Sequence, residues 1–160
     1  MLQGSFKGKR MHLEIVAYDE KHAAALARLE KENFADPWSE KAYLDLRKHG
    51  YCHYFVALRD KLPVGFAGMT VSLDEGDIDK VMVSKDERRK GIASLLLERI
   101  FEEGEALGVR DYTLEVRKGN LPAIALYEKH GFVCEGIRPN FYSNPKEDAL
   151  IMWRRQGLEA

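Results

Sequence analysis

The sequence predicts a single mixed α/β domain, and three observations carry that prediction. Between Tyr54 and Val83, short apolar runs with strand character are separated by turn residues. After Val83 the period changes, and Ile92, Leu95, Leu96, Ile100 and Leu107 recur at helical spacing. Beyond Gly108, strand and helix patterns alternate again, which implies crossover connections that a simple meander does not have.

A first strand is expected over His12–Ala17. Asp19 has the character of a helix N-cap, and a helix should follow to about Asn33, with Ala24, Ala25, Leu26 and Leu29 on its apolar side. Pro37 disfavours helical geometry at Asp36, so the pattern breaks there before Ser39 caps a second helix reaching about Lys48. Strands over Tyr54–Leu58 and Val64–Ser72 are joined by a turn at Asp60–Pro63. A second turn at Asp74-Glu75-Gly76 leads into a strand ending at Val81-Met82-Val83, which completes an antiparallel meander. The helix Ile92–Leu107 closes on Gly108, the residue type best suited to a left-handed C-terminal turn. Tyr112, Leu114 and Val116 alternate with Thr113, Glu115 and Arg117, which marks a strand. A helix over Leu121–His130 stops at Gly131, and strands over Phe132–Ile137 and Ala149–Trp153 finish the domain.

Composition narrows the function classes. The 160 residues, 45% apolar and 32% charged, suit one domain with a real core. A net charge of -1 supplies no global basic field for nucleic acid. Two cysteines, Cys52 and Cys134, make neither a disulfide framework nor a metal cluster, and reduced thiols suit a cytoplasmic protein. No apolar run approaches the length of a membrane span, and no metal is expected. Residues 1–10 are basic without a following hydrophobic stretch, so they are read as a loose extension or expression remnant, not a secretory signal. The domain is then expected over residues 11–155, with Met11 as the natural start.

The strongest local signal is Arg88-Arg89-Lys90-Gly91-Ile92-Ala93-Ser94, which follows the strand ending at Val83 and opens a helix. Backbone N–H groups at a helix start lack intrahelical partners, and the helix dipole favours negative charge there, so a diphosphate fits. Gly91 and Ala93 keep side chains away from the phosphates, while Arg88, Arg89 and Lys90 add charge. The competing reading of the same residues is a solvated basic loop.

Arg88-x-x-Gly91-x-Ala93 resembles the Q/R-x-x-G-x-G/A coenzyme A signature of the GNAT superfamily. The run from Leu114-Glu115-Val116-Arg117 through Asn120, Ala123, Leu126 and Tyr127 to Gly131-Phe132 is similar to the signature of its RimI-like members, the ribosomal-protein alanine N-acetyltransferases. Phe34-x-x-Pro37-Trp38-Ser39 resembles their F-x-x-P-W-S segment. Tyr142, followed by Asn144, Glu147, Asp148 and Met152, resembles their C-terminal pattern. The matches run from about Phe34 to Met152. The resemblance implies the GNAT fold, a single mixed, mostly antiparallel twisted sheet of about seven strands flanked by about four helices. It also implies acetyl-coenzyme A as cosubstrate, with the pyrophosphate on the Arg88–Ser94 turn and Val81, Met82 and Val83 along the pantetheine. Asn120 would hold the cofactor nearby, Glu115 would be the general base, and Tyr127 the acid for the leaving thiolate. Trp38 and Tyr142 would shape the peptide slot.

Elementary chemistry favours an N-terminal acceptor, although the candidate residues also have plainer readings. An α-amine has a pKa near 8 and lysine about 10.4, so neutralising lysine costs roughly 3 kcal/mol more at neutral pH. Glu115 could equally be a surface carboxylate paired with Arg117, and Tyr127 an aromatic core residue. Asp79, placed by alternation on the face of Val81 and Val83, is a second candidate base or substrate contact. Asp74, Glu75, Asp77 and Asp79 could together attract a basic peptide or simply form a solvated acidic hairpin. His12, His22, His49, His53 and His130 show no ligand or triad spacing. The expected reaction is direct acetyl transfer, in a ternary complex, to the N-terminus of a protein, with a ribosomal protein as the implied acceptor. The alternatives are a small-molecule amine as acceptor and a coenzyme-binding sensor module. Oligomeric state is not legible.

Overall fold

The computed structural model describes residues 12–46 and 50–156. The expected extension over residues 1–10 and the start at Met11 lie outside the described residues. Strands β1 (Leu13–Ala17), β2 (Cys52–Arg59), β3 (Leu62–Ser72), β4 (Glu75–Val83), β5 (Asp111–Arg117), β6 (Val133–Tyr142) and β7 (Glu147–Arg154) form one seven-stranded sheet in the order β1-β2-β3-β4-β5-β7-β6. Neighbours are antiparallel except β4 and β5, which run parallel. The helices are α1 (Ala23–Asn33), α2 (Glu40–Asp45), α3 (Ile92–Leu107) and α4 (Leu121–Lys129). The expected fold is the observed one.

Local chemistry explains the boundaries. The Asp19 carboxylate accepts from the Lys21 N–H at 2.9 Å while the Asp19 N–H donates to His22 Nδ1, so a short 3-10 turn precedes α1. Ser39 Oγ accepts from the Ala42 N–H at 3.1 Å and starts α2. The expected end of α2 near Lys48 falls in residues 47–49, outside the described residues. Helix α3 ends at Gly108, whose φ of 85° is the left-handed turn its sequence anticipates. The last two strands are longer than expected. Arg138, Pro139 and Asn140 interrupt the apolar pattern, but β6 is an edge strand and needs no alternation to pair with β7.

The sheet is covered on both faces. On one, Ile92, Leu96, Leu97 and Ile100 of α3 pack with Tyr127 of α4 against Met69, Ile78, Leu114 and Val116. On the other, Ala23, Leu26 and Leu29 of α1 and Tyr43 of α2 pack against Val56, Phe66 and Met82. Among the described residues, no helix is long and apolar enough to cross a membrane.

Candidate active site

Pairing between β4 and β5 is short: Glu75 with Asp111, Gly76 with Tyr112 and Asp77 with Thr113. Past that point the strands part, and their backbone groups no longer serve each other. A cleft of about 440 Å³ fills the opening, lined by Ile78, Asp79, Lys80 and Val81 of β4 and by Leu114, Glu115, Val116 and Arg117 of β5. Asn33, Phe34, Ala35 and Asp36 wall it from the end of α1, Asn120, Ala123 and Tyr127 from α4, and Tyr142, Asn144 and Pro145 from the β6–β7 turn.

A β-bulge shapes the β4 side. Gly68 pairs with Lys80 and Met69 with Ile78, so Asp79 is the unmatched residue. The bulge breaks strict alternation. Val81 and Val83 pack with the α3/α4 cluster, whereas Asp79 Oδ2 accepts from Thr70 Oγ1 at 2.7 Å on the α1/α2 face, where Thr70 pairs with Cys52. The expectation that Asp79 shares a face with Val81 and Val83 is therefore corrected. Burial pushes the Asp79 carboxyl up to about 6; the Thr70 hydroxyl pulls against this and Asp77 adds to it. Burial, then Glu115 and Glu75, also raise Asp77.

On β5, Leu114 and Val116 are buried on the α3/α4 face, and alternation sends Glu115 to the other. Its ion-pair partner is not Arg117 but Arg138 of β6, across β7. Arg117 instead pairs with Glu147 at 3.1 Å, donates to the carbonyls of Ser143 and Pro145, and lies 4.5 Å from the Tyr142 ring centroid. This fixes the β6–β7 turn as a wall. Tyr127 is buried against Phe132 while still reaching the cleft, and burial pushes its phenol up to about 12, with Tyr142 adding to the shift. Asn120 lines the cleft and caps α4, its Oδ1 accepting from the Ala123 N–H at 3.3 Å.

The Arg88–Ser94 turn lies beyond the cleft lining, between the end of β4 and α3. Gly91 is the N-cap with φ of 81°, and among the described residues no side chain caps the first-turn N–H groups of Ile92, Ala93 and Ser94. A Cβ placed on Gly91 would meet nothing within 4 Å, so the turn is open on that side. The three cations are held differently. Arg88 donates to Asn33 Oδ1 and to the Val83 carbonyl, Lys90 lies 3.6 Å from Glu87, and Arg89 takes a left-handed φ of 64°. An uncapped helix start with bound cations beside it suits a diphosphate. Met82 turns its side chain into the α1/α2 core, which leaves only its backbone for a ligand.

Trp38 does not line the cleft; it stands behind Lys80. Lys80 Nζ lies 3.6 Å from the Trp38 ring centroid and 2.5 Å from Glu30 Oε2, which also accepts from the Tyr43 hydroxyl at 2.6 Å. Glu30 Oε1 accepts from the Trp38 N–H at 3.0 Å. Burial lowers the Lys80 pKa against the pull of Glu30, and raises Tyr43 well above the usual phenol range. Sequence reasoning missed Glu30. Its signal was spacing, since it stands four residues after Leu26 on the apolar stripe of α1.

A sheet split between parallel neighbours, beside an open helix start that suits a diphosphate, is the arrangement expected of an acyl-coenzyme A-dependent transferase of mixed α/β fold. The description "Acetyltransferase (GNAT) family" matches residues 23–132. The ribosomal protein bS18-alanine N-acetyltransferase of Escherichia coli (strain K12) is 38% identical over 130 residues, covering 80% of this chain and 87% of that protein. The N-alpha-acetyltransferase of Saccharolobus solfataricus is 32% identical over 122 residues, covering 68% of this chain and 72% of that one. The crystal structure of the Escherichia coli ribosomal-protein-S18-alanine N-acetyltransferase superposes with a TM-score of 0.83 at 33% identity, covering 92% of this chain and 96% of that one. The chain belongs to the GNAT acetyltransferase family and is an acetyl-coenzyme A-dependent N-acetyltransferase.

Proposed function

We propose that the cleft carries acetyl from acetyl-coenzyme A to the α-amine of a protein N-terminus, with a ribosomal protein as acceptor and the cytoplasm as its setting. The observation that carries the reading is the split between β4 and β5, which gives one opening two chemically different faces. Glu115 looks toward the α1/α2 side, and Tyr127 comes from the α3/α4 side. The similarity to enzymes named for bS18 alanine and for N-alpha acetylation supports the choice of acceptor.

The residues fit the cosubstrate. The uncapped N–H groups of Ile92, Ala93 and Ser94 and the charges of Arg88, Arg89 and Lys90 would hold its pyrophosphate. The β4 backbone at Val81, Met82 and Val83, left without β5 partners, would bind its amide arm, with Asn120 alongside. When bound, the coenzyme supplies an activated thioester. Glu115 takes the proton from the acceptor nitrogen, and Tyr127 donates one to the departing sulfur. Tyr142, fixed by Arg117, would position the peptide from the β6–β7 side, while Trp38 would act from behind Lys80.

The test is a panel of short peptides with free or blocked α-amines and with internal lysines. Transfer should require the free α-amine and favour an alanine or serine start. Glu115→Gln and Tyr127→Phe should each lower kcat about 10²-fold or more while coenzyme binding is kept. Transfer confined to lysine or to small amines would overturn the acceptor, and near-normal turnover in both variants would overturn the roles.

A further inference from the structure

We propose that Asp79 is the ammonium-binding carboxylate of the acceptor site, holding the incoming α-ammonium across the opening from Glu115. The proposal rests on the N-terminal reading above and deepens it.

Register brings the two carboxylates to the same place. Parallel pairing ends at Asp77 and Thr113, and the next residues of the same parity are Asp79 on β4 and Glu115 on β5. They flank the point where the strands separate, and both line the cleft. The bulge then decides which way Asp79 faces. It sends Asp79 to the α1/α2 side, the side on which alternation also puts Glu115, and away from the Val81 and Val83 face.

The surroundings of Asp79 ask for a cation. Thr70 Oγ1 donates to one oxygen at 2.7 Å and fixes the carboxylate. A carboxylate has about four lone-pair sites, so one donor leaves most of its capacity unused. Among the described residues no Lys, Arg or His is recorded in an ion pair with it. The adjacent Lys80 turns to Glu30, and Arg138 turns to Glu115. The titratable groups beside it are Cys52 and Tyr54 on β2 and Asp77 on its own strand, with Glu115 on the same cleft; the cations of that cleft, Lys80 and Arg117, are paired with Glu30 and Glu147. In the free cleft Asp79 is open to solvent, and a bound ammonium would supply the counter-charge that no described residue gives it.

The roles then divide. Asp79 holds the ammonium and Glu115 accepts one of its protons; the freed nitrogen lone pair forms the N–C bond as the C–S bond breaks, Tyr127 gives its proton to the departing sulfur, and the second proton released from the nitrogen restores the Tyr127 phenol. An α-ammonium stays charged up to about pH 8, so it is present on both sides of the Asp79 titration. As pH falls through about 6, Asp79 becomes neutral and the hold on the ammonium is lost.

The experiment measures KM and kcat for a free-α-amine peptide between about pH 5 and 8, in wild type and Asp79→Asn, with coenzyme Kd as the check on folding. Peptide KM should rise in wild type toward the acid end. In Asp79→Asn it should be raised about tenfold or more near neutrality, lose that acid rise, and leave kcat within about threefold. A competitor peptide with hydroxyl in place of the α-amine should inhibit both enzymes equally. Thr70→Val, which keeps the carboxylate but removes the donor that lowers its pKa, should start its KM rise at higher pH. An unchanged peptide KM in Asp79→Asn, or a fall in kcat at constant KM, overturns the proposal while leaving the N-terminal reading standing. No transfer by wild type to any free α-amine overturns both.

Discussion

A general acid is useful only while it carries its proton, and the surroundings of Tyr127 suit the role proposed for it. Burial pushes its phenol up to about 12, so it stays protonated far beyond neutrality. The sign is simple: loss of the acid requires pH to rise through about 12, so no alkaline fall in kcat below about pH 10 should come from this residue. Measured against pH, kcat of Tyr127→Phe should lie below wild type by a constant factor of about 10² or more across that range. A wild-type decline near pH 10 that vanishes in the variant would mean that the phenol titrates as if exposed. At this scale the sequence was legible where a role depends on neighbours in the chain, as with the cap at Ser39 or the alternation that turns Glu115 away from Leu114 and Val116. It was not legible where a side chain meets a distant strand. Arg138 reaches Glu115 only because β7 inserts between β5 and β6, and the face of Asp79 depends on a bulge that strict alternation cannot foresee.

Elements are joined at the cleft by one buried carboxylate. Glu30 is fully buried and binds Tyr43 of α2, Lys80 of β4 and the backbone of Trp38, so it sets where the segment after α1 stands. Removing it strands a buried ammonium, and Glu30→Ala should lose about 3–5 kcal/mol in urea unfolding. Replacing both partners, as Glu30→Leu with Lys80→Met, should cost clearly less than the sum of the single changes, because no charge is then left unpaired. An additive cycle would mean that the pair does not act as one unit. A second interelement contact reverses a propensity rule. Gly104 in α3 should gain about 1 kcal/mol on replacement by alanine if helix propensity decided the matter. Its Cα faces the Tyr112 ring and hydroxyl of β5, and an added Cβ would fall inside van der Waals distance of them. Overpacking of this kind costs about 1–3 kcal/mol, so Gly104→Ala should lower stability, and a gain would show that Tyr112 yields freely. The elements themselves were readable because caps, turn residues and period are local. The ends of β6 and β7 were not, because an edge strand takes its pairing from its neighbour and not from its own pattern.

The whole molecule turns on the single parallel neighbour pair in an otherwise antiparallel sheet. The crossover helix between β4 and β5 forces them parallel, and their early separation opens a passage through the sheet rather than a pocket on one side. The sequence anticipated the crossover from the α3 pattern between two strands, but the depth of the split depends on where three residue pairs stop, which no local pattern encodes. The passage has Asp36, Lys80 and Tyr142 on its walls and Ala123 and Tyr127 on the α4 side, so groups from both faces of the sheet meet in it. Among the described residues neither a cysteine nor a serine lines it, and its lysine is committed to Glu30, so no thiol, serine hydroxyl or free amine stands there to carry the acetyl group covalently. Attack by the bound amine on the thioester is then the direct course, and it benefits from the orientation that two fixed walls impose. Initial rates measured with peptide and acetyl-coenzyme A varied together should give double-reciprocal lines that intersect, and mixing enzyme with acetyl-coenzyme A alone should release no burst of free thiol. Parallel lines with a stoichiometric thiol burst would instead require an acetylated side chain, and would send the search for it outside the cleft lining.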